Sequence, residues 1–113
     1  MIDANAISGL CQKAIDMRSE SYAPYSDFLV GSAVLLSDGS VYTGCNIENS
    51  AFGPSICAER TAIFKAVSEG HKDFAAIAIY LQLHHKNNDN HNRFDYDAEQ
   101  EYMFQQFHIH FCF

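Results

Sequence analysis

Cys57-Ala58-Glu59 places a thiol and a carboxyl on either side of one small residue. Pro54 breaks the preceding segment, Ser55 is an N-cap candidate, and Ala58, Ala62, Ile63, Ala66 and Val67 come at helical spacing. The pattern predicts a helix from about Cys57 to Glu69, ending at Gly70 as a C′ residue. In its first turn the positive end of the helix dipole favours a thiolate, which binds zinc or attacks a carbonyl. Glu59 sets an acid/base group beside it. The tripeptide alone is more simply read as a buried helix-start cysteine with a first-turn glutamate that merely suits the dipole.

The elements that would position this pair are readable on both sides. Ile7, Leu10, Cys11, Ala14 and Ile15 predict an amphipathic helix over residues 3 to 20, capped by Asp3 or Asn5. Ser21 to Asp27 is a turn-rich connection, closed to helix by Pro24. Phe28 to Leu36 reads as a strand, Ser37-Asp38-Gly39-Ser40 as a hairpin turn, and Val41 to Gly44 as the returning strand. Asn46 to Ser50 is a polar loop. Phe74 to Leu83 is nearly all apolar, which suits a strand covered on both faces, as in a parallel α/β layer. In such a layer strand and helix ends converge on a crevice, making Asn46, Glu48, Cys57 and Glu59 expected neighbours around one pocket.

With 113 residues the chain has room for one domain. It has no apolar run long enough to span a membrane, and Met1-Ile2-Asp3-Ala4-Asn5 lacks the character of a signal peptide, so a cytoplasmic protein is expected. The irregular spacing of Cys11, Cys45, Cys57 and Cys112 suits free thiols or metal ligands rather than a disulfide frame. Of the net charge of −7, residues 1 to 83 carry five basic and nine acidic groups, and residues 84 to 113 carry two and five. No basic cluster offers counter-charge to a phosphate backbone, so nucleic acid is not an expected partner.

Three stretches carry a family resemblance. Tyr25 to Ala33 resembles the first-strand signature of cytidine deaminases, Thr43 to Gly53 their nucleoside-binding loop, and Ile56 to Gly70 their zinc helix. The likeness runs from about Ile7 to Tyr80. It implies a three-layer sandwich, a mixed sheet with helices on both faces, incomplete at the C-terminus. It also implies Zn2+, a homotetramer, and hydrolytic deamination of cytidine or deoxycytidine with release of ammonia. By the same resemblance Cys57 is a zinc thiolate, Glu59 the proton shuttle, and Phe28 the aromatic packed on the nucleoside. Asn46 and Glu48 would hydrogen-bond the ribose, and Arg60 would temper the thiolate.

The resemblance divides the chain into a core over 1–83 and a divergent tail over 84–113. The family's Pro-Cys-x-x-Cys motif, source of two further zinc ligands, is absent, since Pro54 is the last proline and Cys112 the only later cysteine. From His84 the chain turns polar and low in complexity, then aromatic-rich, as an altered splice or shifted reading frame would leave it. The tail could form a short helix capped at Asp95 or Asp97. His108, His110 and Cys112 could alternatively offer zinc donors from one face of a strand. Loss of the family's last elements is expected to leave a sheet edge open. The alternative to an enzyme is a catalytically inactive homologue that serves as a subunit or nucleoside-binding module.

Overall fold

The computed structural model of the chain describes residues 3–51, 53–83 and 101–110, the last ten by their backbone course. Helix α1 covers Ala4–Met17 and continues as a 3-10 turn over Arg18–Glu20. Its cap is Asp3, whose carboxylate accepts the Ala6 N–H at 2.7 Å. Strands β1 (Phe28–Leu36) and β2 (Val41–Cys45) form a hairpin whose turn puts Gly39 at φ +90°. Helix α2 (Ala58–Ser68) leads to β3 (Asp73–Leu83), and β4 covers Glu101–His110. At the end of α2, Gly70 at φ +93° donates to Val67 O, and His71 donates to Ala66 O. This is the paired closure that favours glycine at C′, as expected of Gly70.

The sheet order is β2-β1-β3-β4. Side chains of β1 and β3 alternate between two helices on opposite faces. On one face Leu10 and Ala14 of α1 pack against Ala33, Ala76, Ala78 and Tyr80. On the other, Ala62 and Ala66 of α2 pack against Val34, Leu36, Phe74 and Ile77. The three-layer sandwich is therefore present.

Its strand directions differ from the expected mixed sheet, because all pairings between the described strands are antiparallel. β3 runs in the same direction as β2, with α2 as the crossover between them, but β1 lies between the two. Burial on both faces reports the layering and not the direction of the neighbouring strand. The tail also differs from expectation. Residues 101–110 form a strand on β3 rather than a helix, so the β3 edge is covered. Tyr, Phe and Ile favour an extended chain, and the outer edge of β3 offers a row of backbone partners. Asp95 and Asp97 lie outside the described residues.

Two glycines set how closely the helices approach. A Cβ on Gly31 would lie 1.9 Å from Ala14 O of α1, and one on Gly44 would lie 2.4 Å from Ala58 O and 2.5 Å from Ala62 N of α2. Both helix backbones thus rest on strand backbone. Gly44→Ala is expected to destabilise the fold by about 3 kcal/mol, since the colliding atoms are main chain. Gly9→Ala, in an exposed part of α1 with nothing within 4 Å, should stabilise it by about 1 kcal/mol. Urea denaturation of both variants against the parent checks the contrast through the shift in midpoint.

Candidate functional site

Beyond the N-terminal end of α2, on the face of the sheet that α2 covers, lies a cleft of about 430 Å³. Its floor is Phe28 and Val30 of β1 with Ile79 and Leu81 of β3. Val30 pairs with Leu81, and Ser32 beside them pairs with Ile79. The rim comes from Asn46 and Glu48 after β2 and from Cys57 and Glu59 at the start of α2. The structure therefore brings Phe28, Asn46, Glu48, Cys57 and Glu59 to one cavity. That volume is in the range of small-molecule sites, with an apolar floor and a few polar groups converging on it.

Cys57 and Glu59 can face the same cavity because the helix begins one residue later than expected. Cys57 is the N-cap, with extended backbone at φ −78° and ψ 159°, and Glu59 is the second helical residue. Two positions apart within a helix would diverge. Ser55, the expected cap, is used elsewhere: its hydroxyl accepts the Asn49 N–H at 2.9 Å and faces Asn49 O at 3.3 Å. That bond closes the loop between the Ile47–Ile56 bridge and itself. Both side chains of the pair are half-buried.

The polar rim is fixed by backbone groups. Asn46 Oδ1 accepts the Val30 N–H at 3.0 Å, and its Nδ2 donates to Phe28 O at 2.6 Å, so the carboxamide continues the β1–β2 ladder. Glu48 Oε1 accepts the N–H groups of Tyr25 and Ser26, each at 3.1 Å. Ser26, through side chain and backbone, holds the Glu48 carboxyl below its usual value, with Tyr25 adding to the effect. The same turn sets Asp27 at φ 56°, a left-handed conformation that aspartate tolerates. Sequence reasoning missed this anchoring, because backbone partners twenty residues away leave no local signal.

It also missed Ser32 and Thr61. Ser32, fully buried, donates from Oγ to Ala58 O at 2.7 Å. Thr61 Oγ1 lies 3.0 Å from both Cys45 O and Cys57 O. The signal for Thr61 was present, since a threonine four residues after an N-cap commonly bonds back to it. Arg60 is exposed. Burial raises the Cys45 thiol above its usual range, consistent with a small buried residue rather than a ligand.

A catalytic zinc takes three protein ligands and a water. Among the described residues no group of three His, Cys, Asp or Glu side chains converges in a way that could hold a metal ion. Cys57 is the single thiol in the cleft lining, so the described donors do not complete such a site. Of the tail's candidate donors, His110 lies at the end of β4 remote from the cleft. His110 pairs with Asp73, while the cleft lies near Leu81, eight residues along β3 and roughly 25 Å away at about 3.3 Å per residue. Cys112 lies outside the described residues.

Residues 2–93 match the family described as the cytidine and deoxycytidylate deaminase zinc-binding region. The chain is 56% identical over 70 residues to cytidine deaminase of Halalkalibacterium halodurans, covering 62% of this chain and 53% of that protein. It is 58% identical over 62 residues to that of Sporosarcina psychrophila, covering 55% and 46%. It thus spans about half the length of these curated relatives. The crystal structure of cytidine deaminase from Burkholderia pseudomallei superposes with a TM-score of 0.64 at 43% identity, covering 73% of this chain and 66% of that one. A family match over most of the chain, joined to a shared fold and a cleft lined by the motif residues, shows that this protein belongs to the cytidine and deoxycytidylate deaminase zinc-binding family.

Proposed function

We propose that the cleft takes a pyrimidine nucleoside, cytidine or deoxycytidine, and that its polar rim is built for hydrolytic deamination to the uracil nucleoside and ammonia. The observation that carries this reading is the convergence of Phe28, Asn46, Glu48, Cys57 and Glu59 on one cavity. Phe28 and the aliphatic floor give the base an apolar surface. The Asn46 amide keeps a second N–H, and a carboxylate has about four acceptor sites, so both can bond a sugar hydroxyl while holding the backbone.

The reaction adds water at C4 of the ring and expels the C4 amine. It requires a group that takes a proton from water, gives it to the ring nitrogen and then delivers one to the amine. Glu48 is committed to Tyr25 and Ser26, which leaves Glu59 as the carboxyl in the cleft lining suited to that task. Zinc, when bound in such a site, would make hydroxide available at neutral pH by lowering the pKa of water towards ~7. Cys57 would be this chain's donor to it, and further ligands would have to come from outside the described residues. A cytoplasmic homotetramer acting on free nucleosides is part of the same proposal. Among the described residues no helix is long and apolar enough to cross a membrane.

The shortage of metal donors among the described residues favours a second reading, a nucleoside-binding subunit without turnover. Zinc content per chain and the loss of cytidine absorbance distinguish the two. About one zinc per chain with turnover, reduced at least about 100-fold in Glu59→Gln, is the outcome expected of the enzyme. Protection against heat by uridine without zinc or turnover is the outcome expected of the binding subunit. Neither turnover nor protection would exclude both.

The anchoring of Glu48 predicts a pH dependence of nucleoside binding. Its carboxyl is lowered from 4.5 in the folded chain, so its contribution is fully present above that value and is lost as pH falls through the lowered one. Uridine affinity should be independent of pH between about pH 5 and 7 and should drop as pH falls through the lowered value of Glu48. In Glu48→Gln that acid limb should disappear, as titration calorimetry across this range would detect.

A further inference from the structure

Two successive residues at the start of α2, Cys57 and Ala58, are held by hydroxyls of residues that contribute no side chain to the cleft. Ser32 Oγ donates to Ala58 O, and Thr61 Oγ1 faces the carbonyls of Cys57 and Cys45. Cys57 O already accepts the Thr61 N–H at 3.1 Å. The hydroxyl proton is therefore better used on Cys45 O, the last carbonyl of β2, which precedes Asn46. Thr61 thereby ties the strand end that carries Asn46 to the helix turn that carries Cys57 and Glu59. Gly44 permits the bond, because a Cβ there would stand 3.0 Å from the Thr61 Cβ and still closer to the α2 backbone.

We propose that Thr61 is a positioning residue that fixes the distance between the sugar-reading rim at Asn46 and the chemical pair Cys57/Glu59. A ligand spanning both edges of the cleft depends on that distance. A group touching only α1 does not. The consequence for a nucleoside rests on the function proposed above, whereas the consequence for Cys57 does not.

Thr61→Val keeps the shape of the side chain and removes the hydroxyl, and Thr61→Ser restores it. In the full chain, uridine affinity is measured by calorimetry, and iodoacetamide alkylation of Cys57 and Cys11 is followed by mass spectrometry. A hydrogen bond of ordinary net strength corresponds to about a fivefold effect. Thr61→Val should raise the rate of Cys57 alkylation and weaken uridine binding by about that factor, with Cys11 on α1 unchanged and Thr61→Ser close to the parent. An unchanged Cys57 rate in Thr61→Val, a serine variant that behaves like valine, or a Cys11 rate rising in step would each overturn the proposal. If the parent chain fails to bind uridine, the nucleoside reading falls and the alkylation comparison alone decides the role of Thr61.

Discussion

The fold around the cleft depends on the direct seating of the α2 N-terminal turn on the backbone of β2 and β1. Gly44 supplies no side chain, so Ala58 and Ala62 approach within the distance a Cβ would occupy. Ala58, Ala62 and Ala66 are themselves fully buried, which keeps the approach close along the helix. Ser32 and Thr61 then convert this contact into directed hydrogen bonds. A larger residue at any of these points would lift the helix start off the sheet and carry Cys57 and Glu59 away from the floor of Phe28 and Val30. Packing of small groups, rather than any ion pair, sets the geometry of the chemical pair.

The elements were largely legible because their signals are local. Hydrophobic spacing, Asp3, the Asp38-Gly39 turn and Gly70 mark α1, the hairpin and the end of α2. The start of α2 was misread at Ser55, since a hydroxyl before a helix can serve either a cap or a loop. The sheet direction was not legible, because a strand buried on both faces looks the same whichever way its neighbour runs. β4 was not legible either, since its partner lies some twenty residues away along a stretch without periodicity.

The residues singled out by their motifs line one cleft, but the ways they are held were not legible in the sequence. Asn46 and Glu48 are read most simply as loop polars free to meet a ligand. In the structure each first serves the backbone, Asn46 by prolonging the ladder onto Phe28 and Val30 and Glu48 by fixing the Tyr25–Ser26 turn. This dual use has an energetic consequence. A side chain already ordered by backbone bonds loses little conformational entropy when a ligand adds another, so part of the cost of binding is met during folding.

The two halves of the proposed activity depend on different parts of the chain. Among the described residues, the interactions that shape the proposed nucleoside-reading edge join residues between Tyr22 and Thr61: the Tyr22–Ile47 bridge, the Asn46 and Glu48 anchors, and the Thr61 bond to Cys45. Among the described residues, the later part of the chain adds the aliphatic floor of Ile79 and Leu81. Metal ligation has the opposite dependence, because Cys57, the single thiol in the cleft lining, cannot satisfy a zinc ion. The cleft can therefore be preorganised by these bonds while the proposed metal chemistry depends on donors beyond the described residues. Under the proposed function, nucleoside binding and turnover would rest on different groups, the first on side chains anchored to the backbone around the cleft and the second on metal donors beyond Cys57.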